Sequence, residues 1–176
     1  MSTNLSDSRI SARLKIVNEH IRLENQHDLD GIMGTFGATA RYDDEPLGAH
    51  HTGRDEVRAY YAELLLAMPD LHIEVHKHHA SDDAIVLEAT IAGRHLGEWC
   101  GLPPTGWRVE FPLCAIFSFD EADRLAGEKI YYDRGTVLRQ LGLFHEPDTM
   151  LGRINVFLMH PLTIARMLSR KILRRD

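Results

Sequence analysis

The chain is expected to be an α+β protein, with N-terminal helices covering one face of a strongly curved antiparallel sheet. Three observations predict this class. Apolar residues recur at helical spacing up to Met68, the period changes to two from Leu71 to Tyr132, and turn residues divide that second stretch into successive strands. With 176 residues, 44% hydrophobic and 26% charged, the chain has the bulk of one globular domain carrying a short appendage.

Ile10, Leu14, Val17 and Ile21 step by four, three and four, which predicts an amphipathic helix capped by Ser8. A shorter helix, LDGIMGTF, follows Asp28 with Leu29, Ile32, Met33 and Phe36 inward, weakened by two glycines. TARYDDEP reads as a brief extended piece ended by Pro46, and GAHHTG as a loop. Val57, Tyr61, Leu64 and Leu65 share one face of a third helix that Pro69 ends. Leu71, Ile73 and Val75 then begin the strands, followed by Ile85, Leu87, Ala89 and Ile91 after the turn at Asp82 and Asp83. Trp107, Val109, Phe111, Leu113, Ala115, Phe117 and Phe119 hold one parity of a long strand, in which Pro112 requires an edge or a bulge. A last strand ends in Tyr131, Tyr132 and Asp133.

No apolar run approaches the roughly 18 to 20 residues that span a bilayer, and the N-terminus lacks the apolar stretch of a signal peptide, so a cytoplasmic protein is expected. Cys100 and Cys114 have no metal-type spacing and read as free buried thiols. The net charge of -6 conceals an asymmetry: from Arg153 onward six basic residues face one acid, and the rest of the chain is strongly acidic. An acidic body argues against a nucleic-acid partner. The tail from residue 144 to 176 carries Phe157, Leu158, Leu162, Ala165, Leu168 and Ile172 at helical spacing, interrupted by Pro161. It reads as a helix packed on its own body or across a homodimer, with contact to a membrane surface or docking to a partner as the functional alternatives.

The order helix, helix, short strand, helix, strand meander resembles the cone-shaped nuclear transport factor 2-like fold. More narrowly, AGRHLGEWCGLPPTGWRVEF followed by YYDRGTVLRQLG resembles the SnoaL-like polyketide cyclase family, through Gly93, His95 and Gly97, the hairpin Pro103, Pro104, Thr105, Gly106, and Asp133 before Gln140, Leu141 and Gly142. The resemblance implies a domain over residues 1–143 and an extension over 144–176. It further implies a proton-transfer enzyme closing or isomerising a small apolar or aromatic carbonyl compound, with Asp133 as general acid/base. Where some members carry a histidine on the preceding strand, this chain has Phe117 and Phe119.

Two residues are candidates for catalysis. Asp133 shares a parity with Tyr131 and would stand at the end of an apolar cavity, where desolvation raises a carboxyl pKa; it would serve equally as the cap of the helix that follows. His95 keeps the parity of Ile91, so it is either a partner of Asp133 or a hydrogen-bonded core residue. Tyr42, Asp44, His51, Trp99, Phe117 and Tyr131 are the expected ligand-binding residues. An epoxide hydrolase variant would draw on Asp44 and Arg94. No phosphate-binding glycine loop or nucleophile motif occurs, so no cofactor is expected. The stripe His72, Glu74, His76, His78 falls on one face of a strand opposite the core and is read as solvated surface rather than a metal site. A binding or dimerisation module of the same fold is the alternative to an enzyme.

Overall fold

The structure is a computed structural model that describes the backbone of residues 2–172 and the side chains of residues 7–166. It divides into two compact units, Met1–Val137 and Leu138–Asp176. In the first, helices α1 (Ser2–Asn25), α2 (Leu29–Thr35) and α3 (Arg54–Ala67) accompany six strands: β1 (Arg41–Asp44), β2 (Ala49–Thr52), β3 (His72–Ala80), β4 (Ala84–Arg94), β5 (Arg108–Phe119) and β6 (Leu125–Tyr132). The strand order is β2-β1-β6-β5-β4-β3. Every neighbouring pair is antiparallel except β1 and β6, which run parallel. This is an α+β fold with a six-stranded open sheet, as the change of period predicts.

Alternation places the core. Ile85, Leu87, Ala89 and Ile91 of β4 pair with Phe117, Ala115, Leu113 and Phe111 of β5, and all eight are buried. The Ile, Leu and Phe side chains among them each contribute about 1.5–3 kcal/mol when fully withdrawn from water. Val17 and Ile21 of α1, Ile32, Met33 and Phe36 around α2, and Val57 and Tyr61 of α3 close the same core from the helical side.

Several expectations are corrected. Helix α1 begins at Ser2, so Ser8 lies inside it and caps nothing. GAHHTG is not a loop, because Ala49–Thr52 pairs with β1. Trp107 precedes β5 and is exposed. Cys100 is exposed and Cys114 half-buried, both as free thiols. Pro112 pairs with Thr90 on one side and lies just beyond the end of β6 on the other, where β5 is locally an edge. The histidine stripe is broken by a register shift between Val75 and Lys77, which reverses the alternation. His76 therefore meets Thr90 Oγ1 at 2.8 Å, His78 meets Asn18 Oδ1 of α1 at 2.8 Å, and His79 meets Glu88 at 2.6 Å.

The second unit holds α5 (Met150–Met159) and α6 (Pro161–Ile172), reached through α4 (Arg134–Gln140). Thr149 caps α5 by accepting from Gly152 N at 3.0 Å. Leu168, and the cations Arg170, Lys171, Arg174 and Arg175, lie outside the residues whose side chains are described, as does the side chain of Ile172.

The loop after β4 lies directly on the end of α3, with Leu96 N and Gly97 N both donating to Ala67 O. A Cβ on Gly97 would fall 2.5 Å from Leu66 O and 3.0 Å from Ala67 Cα, both backbone atoms that cannot yield cheaply. Gly97→Ala should therefore lower unfolding free energy by about 1–3 kcal/mol in urea denaturation, an overpacking cost. An unchanged midpoint would mean that the loop and helix do not meet this closely.

Candidate functional site

The centre of the first unit contains a buried polar cluster. His20 and Glu24 stand one helical turn apart on α1, on the stripe that also carries Val17 and Ile21. Tyr61 projects from α3, and Glu128 from β6 on the parity of Ile130 and Tyr132. Tyr61 donates its hydroxyl proton to Glu128 Oε2 at 2.5 Å. His20 Nε2 lies 3.0 Å from that hydroxyl oxygen, 3.3 Å from Glu128 Oε2 and 3.8 Å from Glu24 Oε1. On the other side of the ring, His20 Nδ1 sits 2.7 Å from Thr35 Oγ1, whose own proton goes to Ile32 O.

With the hydroxyl protons on the bonds just described, the ring must be doubly protonated. Thr35 has given its proton away, so Nδ1 must donate to it. Tyr61 has given its single proton to Glu128, so Nε2 must donate as well. His20 is therefore an imidazolium. Burial alone would lower its pKa, but an ionised Glu24 and the hydrogen bond and charge of Glu128 outweigh burial and raise it; once Glu24 holds its own proton, Glu128 alone supplies that pull. Glu24 then faces an anion in a desolvated site. Burial first, and the Glu128 charge second, push its carboxyl up to about 8, so it is protonated at neutral pH. Its Oε2 has no hydrogen-bond partner among the described residues.

Glu24, Glu128, Tyr61 and Tyr42 share the wall of a cavity whose remaining lining is apolar, including Ile21, Leu64, Leu65, Leu71, Leu87 and Ala115. The space open to the centre of a water molecule is ≈ 20 Å³, room for about one water. A neutral carboxylic acid and a second carboxyl beside a cation thus border a mostly apolar cavity, the arrangement that divides acid and base roles between two carboxyls.

The residues singled out from the sequence fall elsewhere, with two exceptions. Tyr42 lines the cavity, and Phe117 lies beneath the cluster with its ring 5.8 Å from that of His20. Asp133 does not reach the cavity. It is exposed and caps α4, accepting from Gly135 N at 2.8 Å, Thr136 N at 3.1 Å and the Thr136 hydroxyl at 2.5 Å. Tyr131 pairs with Cys114 on the outer face and is 44% exposed; Tyr132, paired with Leu113, is the inward residue. Arg94 is exposed on the outer parity of β4.

Asp44 belongs to a second polar group. Its Oδ2 accepts from Tyr60 at 3.1 Å and Tyr132 at 3.2 Å, and its Oδ1 from Leu47 N at 3.2 Å. Burial raises its pKa against the pull of these donors. The His51 ring lies 4.7 Å from Tyr60. His95, fully buried, bonds Thr105 Oγ1 at 3.2 Å and meets the Trp99 ring edge-to-face at 6.2 Å, and burial lowers its pKa. His51 Nε2, His95 Nε2 and Trp99 Nε1 are buried without partners among the described residues.

His20, Glu24 and Glu128 offer donor atoms within 4.8 Å of one another, as do Asp43, Glu45 and His50. The first set is already neutralised by its own protons. In the second, Arg41 holds Asp43 at 2.8 Å and Lys129 holds Glu45 at 3.3 Å.

The sequence reading missed His20, Glu24 and Glu128 and took Tyr61 for packing. The signal was present: two ionisable residues at i and i+4 on an apolar helical stripe, and an acid at an inward strand position.

Comparison with known proteins places this geometry. The profile of the SnoaL-like polyketide cyclases matches residues 15–141. The chain belongs to the SnoaL-like polyketide cyclase family. Among solved structures it is similar to AclR, a proposed hydroxylase from Streptomyces galilaeus, at 24% identity and TM-score 0.67, covering 78% of this chain and 89% of that one. It is also similar to a hypothetical protein with a ketosteroid isomerase-like fold from Catenulispora acidiphila DSM 44928, at 22% identity and TM-score 0.61, covering 73% and 92%. IdmH, a proposed polyketide cyclase from Streptomyces antibioticus, aligns at 19% identity and TM-score 0.62, covering 74% and 98%. These likenesses establish the shared fold. No curated protein gives a significant match.

Two predictions follow from the charge states of this family member. Glu24 and His20 both hold protons more tightly folded than unfolded. The stability Glu24 contributes is therefore complete below its ordinary pKa of 4.5 and is lost as pH rises through about 8. Chemical denaturation of the wild type should show stability falling across that window, and Glu24→Gln should flatten the fall; parallel profiles would contradict the assignment. Asp133→Ala should cost about 1 kcal/mol, the value of a helix cap, with no change in the pH profile.

Proposed function

We propose that this protein is a proton-transfer enzyme of the cyclase or isomerase type, acting on a small apolar carbonyl compound in the cavity bordered by Glu24 and Glu128. The observation that carries the reading is the pair of carboxyls, Glu24 and Glu128, on one mostly apolar wall, where burial and the Glu128 charge push Glu24 up to about 8. Family membership supports the same class of reaction.

In this reading Glu128, which accepts from Tyr61 and lies beside His20, removes a proton from the carbon next to the substrate carbonyl. Neutral Glu24 donates its proton to the oxygen on which negative charge develops. The enol so formed attacks a second carbonyl in an aldol closure, returning its hydroxyl proton to Glu24 while Glu128 gives the abstracted proton to the new alkoxide; in an isomerisation Glu128 instead returns that proton to another carbon as Glu24 takes back its own. Leu64 and Leu65 of α3 and Leu71 must yield for a substrate to enter, because the resting cavity holds about one water.

That tightness supports a second reading, a ligand-binding or dimerisation module in which the polar cluster only specifies packing. Turnover separates the two. With small β,γ-unsaturated and 1,3-dicarbonyl ketones, the wild type should accelerate conjugation or α-proton exchange into deuterated water. Glu24→Gln and Glu128→Gln should each reduce the rate by about 10²–10⁴-fold. The rate should decline above pH about 8, where Glu24 loses its proton. A folded wild type without activity on the whole panel, or a fully active Glu24→Gln, would favour the module.

A further inference from the structure

The second unit presents an apolar helix face that its own packing turns outward. On α5, Met150, Leu151, Ile154, Phe157 and Leu158 recur at i, i+1, i+4, i+7 and i+8, which is one side of a helix, and all five are exposed, Met150 at 80% and Leu158 at 72%. The opposite side is the one that packs. Gly152 is buried, and a Cβ there would collide with the backbone of His145 and Glu146, so the close approach fixes which side faces out. Beyond Pro161 the exposure continues with Leu162 at the start of α6. Scattered surface leucines need no explanation, but a continuous row of large apolar side chains marks an interaction site.

Charge identifies the occupant. Residues 138–176 carry seven Lys or Arg against three acids, a net +4, while residues 1–137 carry 13 against 23, a net -10. Two copies meeting through this face would bring like charges together. Arg153 borders the same open surface as Met150, Ile154, Phe157 and Leu158, with Asp148 the one acid beside them. An arginine whose stem lies along apolar surface while its head remains in water suits the boundary between acyl chains and headgroups. No helix among the described residues is long and apolar enough to cross a membrane. We infer that α5 and α6 bind the surface of an anionic lipid bilayer, with the α5 face inserted at the headgroup boundary and the basic residues on the lipid phosphates.

Co-sedimentation of the full chain with vesicles tests this. The protein should pellet with phosphatidylcholine vesicles that contain phosphatidylglycerol, and much less with phosphatidylcholine alone or in high salt. Phe157→Ser combined with Leu158→Ser alters only exposed positions and should weaken binding by at least about tenfold, with unchanged circular dichroism of the first unit's fold. Arg170→Glu with Lys171→Glu should weaken it comparably. Absence of binding to anionic vesicles would overturn the inference. So would undiminished binding by the serine variant, or a concentration-dependent dimer lost in that variant while vesicles are ignored, which would assign the face to a second copy.

Discussion

Everything in the first unit is arranged around the cost of keeping ionised groups out of water. A buried imidazolium and carboxylate are tolerated only when each finds its partner, because an unpaired charge in such surroundings costs several kcal/mol. Satisfying His20 requires Thr35 from the end of α2, Tyr61 from α3 and Glu128 from β6 at once. The polar cluster therefore ties all three helices and the sheet together at one point.

In the proposed mechanism the same constraint also supplies the reactivity. Burial first, and the Glu128 charge second, outweigh the opposing pull of His20, so Glu24 keeps its proton. The acid is held neutral by burial and, after it, by the group proposed as its base. Acid and base roles thus come from one electrostatic arrangement, in which no residue has to be reactive on its own. The second group, Asp44 with Tyr60 and Tyr132, is an acid that burial also raises, here against the pull of its hydrogen-bond donors.

The fold was legible because periodicity and parity are local. Ile85 to Ile91 and Val109 to Phe117 pointed inward as their alternation required, and the motifs around His95 and Asp133 identified the family. The site was less legible for two physical reasons. Asp133 has two good uses, cap and acid, and only the three-dimensional course of β6 decides between them; that strand turns Tyr132 inward and leaves Tyr131 and Asp133 on the outside. His20, Glu24 and Glu128 are separated by up to 108 positions, and their meaning lies in proximity, which no single stretch displays. The histidine stripe is exposed as expected, but its members do not share one face, since one bulged residue reverses a strand's faces without any mark in the residue pattern.

The claim on which the rest turns is the protonation state of Glu24. Carboxyl-carbon NMR of the glutamate-labelled protein, with Glu24→Gln to assign the resonance, measures it directly. The account predicts a titration near pH 8, well above that of an exposed glutamate. A midpoint at or below the ordinary value of 4.5 would show that Glu24 is ionised in the resting protein, and the division of roles between the two carboxyls would fall with it.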